Sequence, residues 1–389
     1  MVIGRTPRRD TPQYWGGDRP WASIADMHTE VITQTRERIT HVAAQESGAR
    51  LLEAGTLLMS FKLTIGKLAI AGIDLYTNEA IVGLVPKNPK VIDRDYLRYA
   101  LTLVVPRAES AHAVKGRTLN QQSLGALLVP VPPLSEQRRI AAALKEQLAA
   151  VERARTAAAA RLDAAQSLPG AYLRAGFGGI TPLAVGARRD PPPAGWQWRR
   201  LTELARLESG HTPSRYHPEW WGGKIPWIAL PDIRELNGQV AYETSEYTND
   251  AGIANSSARV LPADTVVLSR TASVGFVTIM GREMATSQDF VNWVCGPELH
   301  PRFLFYLLMR SREYVRSLSS GAIHQTVYMP TVEAFEVCVP GRPQQERIVS
   351  SLAESLAAAA PLRERAEEEV GAIGAMPPAL LRRAFGGQY

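Results

Sequence analysis

The chain carries one long stretch twice. Residues 132–179 read PPLSEQRRIAAALKEQLAAVERARTAAAARLDAAQSLPGAYLRAGFGG, and residues 340–387 read PGRPQQERIVSSLAESLAAAAPLRERAEEEVGAIGAMPPALLRRAFGG. Pairs 208 positions apart fix the register: Pro132 with Pro340, Gln137 with Gln345, Ile140 with Ile348, Leu144 with Leu352, Pro169 with Pro377, Phe177 with Phe385, and Gly178 with Gly386. A repeat of this length sets the architecture before local propensities are weighed, because each copy faces the same packing problem.

Each copy reads as a long amphipathic helix. In the first, Ile140, Leu144, Leu148, Val151, Leu162 and Ala165 share one helical face, while Arg139, Lys145, Glu146, Arg153 and Arg155 lie opposite. Ser135 is placed to cap the start, and Pro169-Gly170 to stop the helix. In the second copy Pro361 predicts a kink or a restart. About 30 helical residues reach roughly 45 Å. Neither helix buries its stripe alone; antiparallel pairing with the other copy solves this for both.

The sequence preceding each helix is duplicated as well. Arg5-Thr6-Pro7 matches His211-Thr212-Pro213, Tyr14-Trp15-Gly16-Gly17 matches Trp220-Trp221-Gly222-Gly223, and Pro20-Trp21 matches Pro226-Trp227. Asp26 matches Asp232, AGTLLMS from Ala54 matches ADTVVLS from Ala263, Gly66 matches Gly275, and DYLRY from Asp95 matches RFLFY from Arg302. Short strands around a glycine turn, Val266-Val267-Leu268 and Phe276 to Ile279, alternate with helices at Asp93 to Leu103 and Pro301 to Leu318. The expected fold is therefore α+β: two α/β units separated by two long antiparallel helices forming a coiled-coil spacer, with a pseudo-twofold internal repeat. The expected boundaries are a first unit at 1–131, a helix at 132–179, a Pro- and Gly-rich linker at 180–195, a second unit at 196–340 and a helix at 341–389. The second unit opens with a strand-like lead, WQWRRLTELARLESGHTP; the first begins almost directly at Arg5-Thr6-Pro7, so its lead is expected to be missing.

Composition enters as a constraint on partners. The net charge is +6 and the pI about 9.4, which permits a polyanionic partner. Most of the cations are arginines, suited to bidentate contact with phosphate and guanine, although a GC-rich genome would enrich arginine too. No apolar run reaches the roughly 18 residues of a membrane span. No signal peptide is visible at the N-terminus, and Cys295 and Cys338 lack metal spacing, so a cytoplasmic chain without a disulfide is expected.

Taken together, the helix starts PLSEQRRIAAAL and PQQERIVSSL, the tails AGFGG and AFGG, the SGHTPSR element with WWGG and IPWI, and the SRTASVG and GAIHQTV segments resemble the specificity (S) subunit of Type I restriction–modification systems (HsdS-like) over nearly the whole chain. The resemblance implies two target-recognition domains, each reading one half of a bipartite site in double-stranded DNA. It also implies helices that space these domains and dock two methyltransferase (M) subunits, with restriction (R) subunits completing the nuclease. It implies no catalytic site in this chain and no cofactor.

The residues agree with a non-catalytic reading. No lysine has Asp or Glu two positions before it, as a PD-(D/E)xK nuclease needs, and there is no GxxxxGK[ST] phosphate loop. Asp190-Pro191-Pro192-Pro193 lacks the aromatic residue of an amino-methyltransferase DPPY motif and reads as a stiff linker. His211 and His217 have no Cys or carboxylate partner at zinc spacing, so no metal is expected. The DNA-reading candidates lie on loops: Arg5, Arg8, Arg9, Tyr14, Lys62, Lys115 and Arg117 in the first unit, and Arg215, Tyr216, His217, Lys224, Arg270, Thr271, His324 and Gln325 in the second. Asn120 and Gln121 accompany Lys115 and Arg117. Trp15, Trp21, Trp221 and Trp227 are expected to anchor loops or cores. A coiled-coil scaffold without DNA readout is the alternative; it accounts for the helices but not for duplicated units with basic loops.

Overall fold

The structure, a computed structural model, describes residues 1–62, 64–111, 121–186, 189–320 and 325–386, with side chains throughout except at 106–111 and 121. It divides into two compact units, Met1–Ala159 with Glu368–Tyr389, and Ala160–Glu367. Each unit thus takes in the start of one long helix and the end of the other.

In the first unit, a five-stranded sheet has the order Val2–Ile3, Ile81–Leu84, Leu57–Ser60, Leu68–Ala71, Val31–Ile32. The second unit repeats it with Ala205–Ser209, Phe290–Cys295, Val266–Ser269, Val277–Met280 and Val240–Ala241. In both, only the last-named strand pairs parallel to its neighbour. The central strands are mostly apolar and almost wholly buried because both sheet faces are covered. Leu57, Met59 and Val82 pack with Leu101 and Val105 of the helix Arg94–Ala111, whereas Leu58, Ala69 and Ile81 pack on Leu52 and Leu75. In the second unit Val266, Leu268 and Ile279 meet Phe303 and Leu307 of the helix Pro301–Arg310; Val267 and Met280 meet Ile228 and Leu261 on the other face.

A three-stranded sheet in each unit accounts for the Trp-Gly-Gly elements. Trp15–Ala22 pairs with Glu37–Ile39 and Tyr76–Thr77; Trp221–Ile228 pairs with Glu246–Thr248 and Ala285–Thr286. The long strand bulges so that Trp15 and Arg19 both face Ile39, and Trp221 and Ile225 both face Thr248. The bulge needs both glycines. Gly16 and Gly222 adopt φ of 78° and 77°, where an L side chain is strained. A Cβ on Gly17 or Gly223 would lie 2.5 or 2.4 Å from the partner strand's Ile39 or Thr248 carbonyl oxygen.

The second unit has a further sheet, Trp196–Arg200, Phe335–Pro340, Leu183–Val185, so the expected linker contributes a strand, its backbone pairing with Phe335 to Val337. The matching first-unit stretch, 127–131, forms no strand among the described residues, and Leu128 and Val131 are exposed. Pro301 to Leu318 is two helices, Pro301–Arg310 and Arg312–Ser317, broken at the buried Ser311.

The long helices, Leu134–Gly176 and Arg342–Ala384, each have 43 residues, longer than the sequence predicts. At about 1.5 Å per residue each is about 65 Å long. Pro169-Gly170 does not stop the first, and Pro361, Pro377 and Pro378 do not restart the second. An interior proline costs about 3 kcal/mol or more. Beyond Pro169, however, Leu173 and Phe177 enter the second unit's main core, and beyond Pro378, Leu381 and Phe385 pack on Tyr96 and Leu144 in the first. That burial carries both helices past their prolines. Ser135 lies inside the first turn rather than before it. Gln137, fully buried, closes the start instead: its Nε2 donates to the carbonyls of Pro132 at 2.7 Å and Val91 at 2.8 Å, and its Oε1 accepts from the Asp93 amide at 2.8 Å. Gln345 repeats this with Pro340, Glu298 and His300, at 2.9, 2.9 and 2.8 Å.

The helices pair antiparallel as expected. The start of the first packs on the end of the second through Val151, Ala158 and Ile373; the end of the first packs on the start of the second through Leu173, Val349 and Leu352. The stripe of Leu144, Val151 and Ala165 is buried, while Arg139, Lys145, Glu146, Arg153 and Arg155 are exposed.

Candidate nucleic-acid interface

Three loops meet at the same place in each unit. The first leaves the edge strand of the five-stranded sheet through a glycine too crowded for any side chain: a Cβ on Gly4 would meet the Asn78 carbonyl oxygen at 2.1 Å, and one on Gly210 the Ser287 carbonyl oxygen at 1.9 Å. The next amide, of Arg5 or His211, donates to the carbonyl of Thr77 or Thr286, at 2.8 or 2.9 Å. The following threonine reaches across: Thr6 Oγ1 donates to Glu79 Oε2, and Thr212 Oγ1 to Gln288 Oε1.

The tryptophans hold this loop down, as expected of them. Trp21 and Trp227 Nε1 donate to the carbonyls of Arg5 and His211, at 3.0 and 3.2 Å. Trp15 and Trp221 Nε1 donate to Arg8 and Ser214, at 3.0 and 3.4 Å. Each pair is edge-to-face, with centroids 5.1 and 4.9 Å apart. Above each pair sits an arginine. The guanidinium carbon of Arg9 is 3.8 Å from the Trp15 ring centre and 5.1 Å from Trp21; Arg215 repeats these distances over Trp221 and Trp227. Both make a two-pronged ion pair, Arg9 with Glu37 and Arg215 with Glu246. The bond from Arg215 holds the Glu246 carboxyl below its ordinary pKa, against the opposing effect of burial. Arg9 and Arg215 therefore shape the loop.

The second loop carries Glu79 or Gln288, both exposed. Partial burial works to raise the Glu79 pKa, but the Thr6 bond and its own backbone amide prevail, with Lys62 and Arg9 helping, and it stays below the usual carboxylate range. The third loop carries Lys62 or Thr271. Arg270, its sequence neighbour, is half-buried, and its Nη2 donates to the Gln288 carbonyl at 2.9 Å. Its amide donates to the Asp289 carbonyl and its carbonyl accepts from Val327, both at 2.9 Å. Ala272 adopts φ of 58°, an uncommon left-handed backbone for alanine, and its amide donates to Gln325 at 3.2 Å. Arg270 thus braces the second loop.

The sequence-predicted residues fall into distinct groups. Arg5, Arg8 and Lys62 are partly or fully exposed on this face, and their side chains make no hydrogen bond or ion pair among the described residues. Thr271 and Gln325 line the same junction in the second unit. Tyr216 is 95% exposed at the tip of its loop. His217 stacks on Trp220 with ring centroids 4.2 Å apart, and its Nδ1 contacts Glu219 at 2.8 Å. The Tyr14 hydroxyl is bound to Glu46. Lys224 lines a surface hollow with Ile225, Val260, Arg282 and Glu283 and shares none of these contacts. Lys115, Arg117 and His324 lie outside the described residues, as does Asn120; the Gln121 side chain is likewise outside. Thr6, Glu79, Thr212 and Gln288 were not singled out by sequence reasoning. The signal available was the matched position of Glu79 and Gln288, nine residues after Ile70 and Ile279 within the duplicated units.

Cys295 and Cys338 are free, and burial pushes their thiols up to about 12 and about 11. Among the described residues no group of three or more His, Cys, Asp or Glu is placed to hold a metal ion, and no helix is long and apolar enough to cross a membrane.

Comparison with known proteins agrees with this geometry. The family model for the Type I restriction modification DNA specificity domain matches residues 2–159 and again 193–368. The chain is 25% identical over 162 residues to the Type I restriction enzyme MjaIX specificity subunit of Methanocaldococcus jannaschii, covering 41% of this chain and 38% of that one. It is 26% identical over 153 residues to the HindI specificity subunit of Haemophilus influenzae, covering 39% and 33%. These matches span less than half the length of either relative. Among solved structures, a chain from work on complex assembly and conformational transition of the type I R-M system superposes with a TM-score of 0.74 at 17% identity, covering 100% of this chain and 95% of that one. The HsdS subunit from Thermoanaerobacter tengcongensis gives 0.64 at 18% identity, with the same coverage. At these identities the structural likeness speaks to the fold.

Proposed function

Since this chain belongs to the family of Type I restriction modification DNA specificity domains, we propose that it is the DNA-reading subunit of a restriction–modification complex. In this reading residues 1–131 and 196–340 each recognise one half of a bipartite site in double-stranded DNA. The paired helices dock two methyltransferase subunits, and restriction subunits complete the assembly. The chain contributes no chemistry of its own; methyl transfer and cleavage belong to its partners.

One observation carries the reading. The two units share a loop frame residue for residue at its anchored positions: Gly4 and Gly210, Thr6 and Thr212, Arg9 and Arg215, Trp15 and Trp221, Trp21 and Trp227. The outward positions on that frame differ: Arg5 against His211, Arg8 against Ser214, Asp10 against Tyr216, Lys62 against Thr271, Glu79 against Gln288. A rigid frame presenting two different sets of polar tips is what reading two different short sequences requires, because specificity comes from side chains at base edges while the frame sets their register.

The test is reconstitution with the cognate methyltransferase subunit, followed by methylome sequencing and fluorescence anisotropy on duplexes. The expected result is one bipartite methylated sequence. Exchange of residues 196–340 for those of another family member should alter one half-site and leave the other intact. Light scattering should give two methyltransferase subunits per chain, and the chain alone should transfer no methyl group. A complex that methylates without sequence preference would refute the proposal.

A further inference from the structure

The matched loop positions Glu79 and Gln288 differ in hydrogen-bonding character and are held by the same threonine. Thr212 occupies one lone pair of the Gln288 amide oxygen; the side chain is exposed, and its other lone pair and the two N–H donors of Nε2 have no hydrogen-bond partner among the described residues. That is the complement of adenine's major-groove edge, which offers the N6 donor and the N7 acceptor side by side. Thr6 donates to Oε2 of Glu79, and the carboxylate has no N–H of its own, so the group can only accept. An acceptor-only group suits the N4 amino group of cytosine and is repelled by the N7 and O6 acceptors of guanine. We infer that Gln288 and Glu79 are specificity-determining residues at equivalent positions of the two half-sites, Gln288 selecting adenine and Glu79 selecting cytosine. This rests on the DNA-reading function proposed above.

Three features separate these residues from their neighbours. Both side chains are exposed yet fixed by the threonine, so little rotamer freedom is lost on contact. Both loops are braced from beneath, by Arg270 on the Gln288 carbonyl and by the Phe61 amide donating to the Ala80 carbonyl at 2.9 Å. Cations lie around Glu79, with Lys62 and Arg9 close enough to stabilise its charge. They offset the repulsion that a lone carboxylate would meet beside phosphates. Glu37 and Glu246 on this face are engaged by Arg9 and Arg215, whereas Glu79 makes no such two-pronged pair among the described residues, and cytosine N4 is a donor it can read.

The experiment uses the full chain with its methyltransferase partner and a duplex library randomised over both half-sites. Gln288→Glu keeps the shape of the side chain and the Thr212 bond. It should convert one adenine preference to cytosine in one half-site, shifting discrimination there by about 5- to 150-fold, and leave the other half-site unchanged. Glu79→Gln should do the reverse in the other half-site. Because it also removes a negative charge, affinity for all sequences should rise, so the decisive readout is relative base preference. Gln288→Ala should flatten preference at the same single position. The inference is overturned if the wild-type complex selects a bipartite site and these variants leave its preferences unchanged. It is also overturned if they blur a whole half-site at once, since that marks a structural role. If the wild-type complex selects no sequence, this inference falls together with the function on which it rests.

Discussion

The rings of Phe385 and Tyr96 lie with centroids 5.2 Å apart, joining the end of the second long helix to the helix Arg94–Ala111 of the first unit. Phe177 and Phe303 make the equivalent contact, also at 5.2 Å, between the end of the first long helix and the second unit. Each tail ending in Phe-Gly-Gly therefore docks on the unit that its own helix does not follow. Each helix start is bound by its glutamine to the unit it does follow.

The aromatic contacts predict unequal losses. Phe177 is completely buried and also meets Trp196 at 6.2 Å, so Phe177→Ala should destabilise the second unit by about 3–5 kcal/mol. Phe385 keeps 7% of its surface exposed, so Phe385→Ala should cost less and should first release residues 379–386 to proteolysis. Thermal denaturation and limited proteolysis of the two variants measure both effects. Equal losses would show that the tails are not docked as described.

The glutamine clamp predicts a loss confined to one helix start. Gln345→Ala removes three hydrogen bonds and leaves the carbonyls of Glu298 and Pro340 without this donor, at a cost of about 2–3 kcal/mol. Substitution of the exposed Arg347, two positions on, should be nearly neutral. Hydrogen exchange should show faster opening at residues 342–348 in the Gln345 variant alone. Uniform protection in both variants would refute the clamp.

The Arg215–Glu246 pair predicts an acid dependence. Glu246 has a folded-state pKa below its ordinary 4.5, so its contribution to stability is complete above that pH and is lost as pH falls through the folded value. Both side chains are more than one-third exposed, so solvent screens the pair and the effect is modest. Arg215→Gln should remove this component, so that melting temperature falls less steeply on acidification below about pH 4.5 than in the unsubstituted chain. Parallel profiles would show that the ion pair contributes nothing.

The salt dependence of DNA binding should separate arginines of one loop. Arg5 and Arg8 are exposed and make no ion pair among the described residues, so replacing either by alanine should lower the slope of log affinity against log salt by about one. Arg9 is already neutralised by Glu37 and stacked on Trp15. Its loss should weaken binding chiefly by loosening the loop, with a smaller change in slope. Anisotropy titrations of the three variants at several ionic strengths give these slopes. An Arg9 slope change as large as that of Arg5 would overturn the distinction.

The repeat, the α+β organisation and the antiparallel helix pair are legible in the sequence, because each rests on periodicity or on recurrence at a fixed offset; the family is legible only through the resemblance of its motifs and their order. Heptad-like spacing of Leu144, Val151 and Ala165 states which face is buried, and the Trp-Gly-Gly pairs state where a bulge lies. The helix ends are not legible, because proline's local penalty is visible in the sequence while the burial of Phe177 and Phe385 beyond it is not. The strand at residues 183–185 is not legible either, because three residues are too few to show a period.

What the residues determine alone is which segments are helix or strand and that two like units exist, since these follow from spacing along the chain. Which arginines hold a loop and which face outward was decided only by the tertiary structure. Arg9 and Arg8 are adjacent and chemically identical, yet one is drawn onto Trp15 and Glu37, a partner 28 residues away, and the other is not. Glu79 acquires its place from Thr6, 73 residues distant, and Gln137 from Asp93, 44 residues distant. Hydrogen bonds and ion pairs act over about 3 Å in space and carry no periodicity in sequence, so the polar frame that presents Glu79 and Gln288 exists only once the chain has folded.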